Sequence, residues 1–141
     1  MPPARFVNFR QLGTFRWRWP HFLPSEMACS QTDELLVVPA FMDWLEGVRH
    51  VFGQPMVVTS GYRTAAHQER LTGRATGAHV DGMAVDVLIS GQAAHRLAKI
   101  ALSQGAQGIG VCQTGPRDQR YLHLDCWVKA PAGLRPWIWS Y

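Results

Sequence analysis

The chain has 141 residues, 47% hydrophobic and 17% charged, with 14 basic against 10 acidic side chains and a net charge of +4. A chain of this size buries one real core, and this balance excludes intrinsic disorder. No apolar run approaches the ~20 residues a bilayer span needs, and the mild basic excess favours anionic partners (cell-wall polymer, nucleic acid, lipid head groups) without choosing among them.

Residues 1–20 interleave Arg5, Arg10, Arg16 and Arg18 with Phe6, Phe9, Phe15, Trp17 and Trp19, and end at Pro20. We read them as an extended arm whose aromatics pack on a single domain over 21–141; stacking on nucleic acid is the alternative. No apolar h-region stands between Met1 and Phe22, so a secretory signal is not expected and the chain should stay in the cytoplasm until something releases it. Ser25 and Glu26 predict a short helical turn through Cys29.

Pro39 then opens a helix. Phe41, Trp44, Leu45, Val48 and Phe52 follow the i, i+3, i+4, i+7 stripe of a core-facing helix, Pro39 suits the first turn, and Gly53 suits the end. Met56 to Thr59 reads as a short buried strand ending at Ser60-Gly61, and Thr64 caps a brief helix through Leu71. A Gly-rich loop, Thr72 to Ala78, leads to a buried strand over Ala84 to Ile89. Ser90 caps the next helix, with the face Ala94, Leu97, Ile100 and Ala101 and a close at Gly105.

Gly108 to Cys112 and Tyr121 to Val128 read as strands joined by the hydrophilic stretch Gln113 to Gln119, and Trp137 to Tyr141 as a final edge strand. Together these elements predict an α+β fold, a small and mostly antiparallel sheet with helices packed on one side. Cys29, Cys112 and Cys126 form no CxxC and cannot all pair. Buried free thiols are the default, with a Cys112–Cys126 bridge open if their strands are neighbours.

The chemistry concentrates between Gly77 and Val87. His79 lies just before an apolar strand and Asp86 lies within it, and a buried carboxylate in such a run needs a counter-charge or a metal. Gly82, between them, allows the backbone a sharp turn. On the strand that begins at Tyr121, alternation sends Leu122 and Leu124 to the core and His123 and Asp125 to the other face, where Asp86 can meet them. His79, Asp86 and His123 thus make a three-ligand zinc site with a fourth position left for water, the catalytic rather than the structural arrangement. His67 and His95 fall on predicted helices and are expected at the surface.

Three blocks now stand in order: Ser60-Gly61-Tyr62-Arg63, His79-Val80-Asp81-Gly82-Met83-Ala84-Val85-Asp86 and His123-Leu124-Asp125. They resemble those of the zinc D-Ala-D-Ala carboxypeptidase and murein endopeptidase family, which shares its fold with the hedgehog signalling domain. Phe22 to Cys29 and Arg135-Pro136-Trp137-Ile138-Trp139 also resemble phage-type members, and the likeness covers residues 20–141. It implies one Zn2+ per chain on His79, Asp86 and His123. Arg63 would match the cation that holds substrate and steadies the oxyanion. Tyr62 beside it is assigned to substrate binding, with packing beneath the loop as the alternative.

The activity implied is hydrolysis of an amide bond in the peptidoglycan stem peptide, of D-Ala-D-Ala carboxypeptidase, L-Ala-D-Glu endopeptidase or DD-endopeptidase type. The resemblance suggests a monomeric phage or prophage endolysin released through a holin-type pore, with no nucleic-acid partner and no membrane insertion. A non-catalytic wall- or protein-binding module on the same fold, with a structural zinc, is the alternative. Two positions depart from the family pattern. Gly77 stands where the family usually has Ser, and Arg120 stands three residues before the last His, where several members place an acidic general base. Asp125 becomes the first candidate base, with the orienting of His123 as its competing role; Asp81 and Asp118 are the weaker candidates.

Overall fold

The computed structural model describes residues 1–141. Strand β1 (Ala4–Phe6) pairs antiparallel with β2 (Leu35–Val37), Arg5 opposite Leu36, in a small sheet of its own. The arm that follows β1 turns its aromatics inward. Trp19 is buried and donates its indole Nε1–H to Asp43 at 2.8 Å, while Phe6, Phe9, Phe15 and Trp17 pack against the core.

Helix α1 (Pro24–Met27) is the short turn expected from Ser25 and Glu26. Helix α2 (Pro39–Phe52) starts on Pro39 and stops at Gly53, whose φ of 73° closes the last turn in the left-handed region that glycine enters freely. Phe41, Leu45, Val48 and Phe52 are buried as the stripe predicts. Trp44 is half-buried, its Nε1–H donated to the Gln104 carbonyl at 2.8 Å.

The main sheet has the order β3-β4-β6-β5-β7, from β3 (Val57–Ser60), β4 (Ala84–Leu88), β5 (Gly108–Cys112), β6 (Tyr121–Asp125) and β7 (Trp137–Ser140). Every neighbouring pair is antiparallel except β5 and β7, so the sheet is mostly antiparallel as expected. Strand β3 is not the buried strand expected: it lies at an edge, and Val57 is exposed. The ladder also separates two thiols. Cys112 pairs with Tyr121 at one end of β5–β6, while Cys126 follows Asp125 at the other, so at about 3.4 Å per residue no bridge can form. All three cysteines are free.

Helix α4 (Gly91–Ser103) packs with α2, and the two share one buried cluster with Val85, Val87, Ile109, Leu122 and Leu124 of the sheet. Alternation puts Asp86, His123 and Asp125 on the opposite face. Helix α3 (Ala65–Thr72), capped by Thr64 Oγ1 accepting from the His67 N–H at 3.2 Å, borders that second face, so the helices do not all lie on one side. No helix is long and apolar enough to cross a membrane.

Candidate metal centre

Strand register builds the site. Pairing of β4 with β6 sets Asp86 directly opposite His123. A bulge in β3 between Val58 and Ser60 brings Ser60 opposite Asp86, and the chain leaving the bulge carries Arg63 back over that carboxylate. His79 comes from the turn before β4, where Gly82 holds a φ of 69° and any Cβ would press on Leu36 and Val38 at about 3 Å. The ligand atoms of His79, Asp86 and His123 end within 4.8 Å of one another, all three residues buried.

Hydrogen bonds then fix which ring nitrogens are bare. His79 Nδ1 lies 2.7 Å from the Gly61 carbonyl, which can only accept, so Nδ1 carries the proton and Nε2 a lone pair. His123 Nε2 lies 2.6 Å from Asp125 Oδ2, again an acceptor, so its Nδ1 is the bare nitrogen. His79 Nε2 and His123 Nδ1 both face Asp86 Oδ1, at 3.3 Å each. Two lone pairs and an anionic oxygen around one point repel unless a cation lies between them. The 3.3 Å spacings match the edge of a tetrahedron with bonds of about 2.0–2.1 Å, the length zinc makes to nitrogen and oxygen. The donor set fits such an ion.

Electrostatics agree. Burial alone would raise the Asp86 carboxyl, but its contacts with His123 and His79 outweigh that and hold it far below the usual carboxylate range. Burial pushes His79 down, with Asp86 offsetting only part of the shift. For His123 burial is outweighed by Asp125 and Asp86, which raise it.

Residues 20–125 match the sequence profile of Peptidase M15. The chain belongs to the peptidase M15 family. No curated protein and no solved structure matches it. M15 enzymes are zinc peptidases, and the His79–Asp86–His123 group is where this one could hold a metal.

The trio lies in the wall of a cleft of about 480 Å³. Arg63 stands beside it, donating Nε–H to Ser60 Oγ at 2.9 Å, Nη1–H to Gln68 Oε1 at 3.0 Å and Nη2–H to Asp86 Oδ2 at 2.9 Å. Tyr62 does not reach the cleft. It is buried on the far side of the loop, where its hydroxyl accepts from Arg5 at 3.3 Å, so packing replaces the expected substrate contact.

The expected bases are also placed elsewhere. Asp125 is 0% exposed, and its two oxygens accept from His123, the Trp127 N–H and Arg135, leaving none for a cleft water. Its position is that of a group orienting His123. Asp81 accepts from the Trp127 indole at 2.7 Å outside the cleft, and Asp118 is exposed on a 3-10 turn. Asp86 is the only acidic side chain lining the cleft of this M15 peptidase. His67, expected at the surface, is buried with Nδ1 3.4 Å from Cys29 Sγ, whereas His95 is exposed as predicted.

The sequence reading missed Gln68, Tyr121, Trp127, Trp139 and Tyr141, all of which line the cleft. Tyr121 was the one with a signal, since it stands two residues before His123 and shares its strand face. Trp139 arrives from β7 and packs against His123 with its ring tilted by 52°, 4.9 Å between ring centroids. It can do so because Gly110 lies under its indole, where a Cβ would sit 2.8 Å from the ring.

Proposed function

We propose that the chain is a zinc-dependent peptidase of peptidoglycan that hydrolyses an amide bond of the murein stem peptide, on the hedgehog/DD-peptidase fold. Its setting is that of a monomeric phage or prophage lysis enzyme, and its bond of D-Ala-D-Ala carboxypeptidase, L-Ala-D-Glu endopeptidase or DD-endopeptidase type. The observation that carries this reading is the meeting of His79 Nε2, His123 Nδ1 and Asp86 Oδ1 with no proton required among them. A zinc ion held by those atoms would polarise the scissile carbonyl and lower the pKa of a water toward ~7.

The protein supplies the rest. Arg63 has five N–H donors and uses three on Ser60, Gln68 and Asp86, which leaves others for a substrate carboxylate or a developing oxyanion. Burial and the neighbouring Tyr141 push the Tyr121 phenol upward, so it stays protonated at neutral pH and offers the cleft an O–H donor. Trp127 and Trp139 give flat apolar walls against which aliphatic parts of a stem peptide can lie and exclude water.

A second reading has one observation in its favour. Because Asp86 is the only acidic side chain lining the cleft, a non-catalytic wall- or protein-binding module with a structural zinc would also look like this. Mass spectrometry of purified muropeptides incubated with the zinc-loaded protein separates the two. The hydrolase reading expects a defined fragment to be lost, and no loss with chelator or with His79→Ala. Intact muropeptides beside one bound zinc per chain would overturn it in favour of the module.

A further inference from the structure

We propose that Arg135 is a positioning residue of the metal centre, holding Asp125 so that Asp125 holds His123; the inference rests on the zinc reading above. Residues 126–141 lie beyond the part of the chain that matches the M15 profile, yet Trp127, Arg135, Trp139 and Tyr141 all line the cleft. Arg135 donates Nε–H to Asp125 Oδ1 at 3.0 Å and Nη2–H to Oδ2 at 2.7 Å. A two-pronged fork of this kind fixes the plane of a carboxylate as well as its place. The same Oδ2 accepts Nε2–H of His123 at 2.6 Å, which aims Nδ1 at Asp86. A chain of three side chains, Arg135, Asp125 and His123, therefore ends on a ligand atom.

Two further features show a place built for this pair. The guanidinium carbon lies 5.1 Å from the ring centroid of Trp127 and 5.1 Å from that of Trp139, so the fork is itself gripped between aromatic rings. Strand β5 is cut away to admit it. Gly108 pairs with Asp125, and a Cβ at 108 would stand 2.2 Å from Asp125 Oδ2 and 2.7 Å from Arg135 Nε. No residue but glycine leaves the fork its seat. Asp125 is one hydrogen bond removed from a metal ligand, a place that typically governs affinity by 10- to 100-fold, and Arg135 acts through it.

The test compares zinc affinity, by competition with a chromophoric chelator, for the full chain and for Arg135→Gln, Asp125→Asn and the double variant. Cobalt-substituted absorption spectra and melting curves of the metal-free proteins are recorded alongside. Arg135→Gln is expected to keep its fold and one-ion stoichiometry, to bind zinc about 10- to 100-fold more weakly, and to change the cobalt spectrum. The double variant is expected to bind no more weakly than the worse single one, because both substitutions break one chain. Unchanged affinity and spectrum with only a lower melting temperature would make Arg135 merely structural and overturn the proposal, as would additive losses.

Should Arg135→Gln fail to fold, Arg135→Lys carries the test. It keeps the charge but offers a single point rather than a fork. It is expected to lose affinity, though less, and a folded Arg135→Lys that binds zinc like the unaltered chain overturns the proposal. An unaltered chain that takes up no zinc is a different result: it overturns the reading on which the proposal stands.

Discussion

Gly61→Ala tests whether the loop between β3 and α3 is a rigid support for His79. Gly61 packs so closely on α1 that a Cβ would sit 2.7 Å from the Met27 carbonyl oxygen and 2.8 Å from its Cα. Both are backbone atoms, so no side chain can swing away. Relief requires the loop to retreat by about 0.5 Å, which stretches the 2.9 Å bond from Tyr62 N–H to that carbonyl to the weak edge of hydrogen-bonding range. Overpacking costs about 1–3 kcal/mol and the weakened bond up to about 1, so we expect destabilisation of roughly 2–4 kcal/mol. For a domain of this size that is a fall in melting temperature of roughly 6–15 °C. The same retreat moves the Gly61 carbonyl away from His79 Nδ1, now 2.7 Å distant, and zinc affinity should fall about tenfold or more. Melting curves of the metal-free variant and chelator competition measure the two effects. A melting point within 2 °C of the unaltered chain, or full zinc affinity in a destabilised variant, would refute the reasoning.

Three further outcomes follow from the same geometry. Burial opposes ionisation of Asp125, but His123 and Arg135 outweigh it and bring its carboxyl down to about 2. A depressed carboxyl stabilises the fold above its unfolded value of ~3.9 and loses that contribution as pH falls. Urea midpoints of the metal-free protein should therefore drop between about pH 4 and pH 2 by an amount on the order of 2 kcal/mol. Asp125→Asn should flatten that limb, and parallel curves would contradict the assignment. Asp125 and Asp86 raise His123 despite its burial, so zinc uptake should displace protons, more of them as pH falls, read as a buffer-dependent binding enthalpy. An enthalpy independent of buffer would contradict it. Leu97→Ala on α4, fully buried on the sheet face away from the cleft, should cost about 2–5 kcal/mol in urea yet leave zinc affinity unchanged. Loss of zinc affinity in a folded Leu97→Ala would mean the two faces are not independent.

Much of the site could be read from the chain because it lies on strands. The two-residue alternation of Tyr121 to Asp125 separates leucines from polar groups without any knowledge of the fold, and it correctly set His123 beside Asp86. Helix α2 was equally legible, its stripe, Pro39 and Gly53 all agreeing. What failed depended on contacts between distant segments. Strand β1 has three residues, too few for any periodicity, and exists because β2 offers it a partner. Tyr62 and Arg63 are adjacent, but the chain turns between them, and only three-dimensional packing shows that they face opposite ways. His67 sits on a weakly amphipathic helix whose buried side is set by Cys29, far back in the chain. The role of Asp125 was undecided because Arg135 reaches it across a loop, from a stretch with no pattern of its own.

X-ray absorption at the zinc edge of the loaded, full-length protein tests the centre most directly. One zinc per chain is expected in a shell of nitrogen and oxygen at about 2.0–2.1 Å, with the outer-shell scattering of two imidazoles and no sulfur. A sulfur neighbour at about 2.3 Å, which would put the ion on Cys29 and His67 instead, would contradict it.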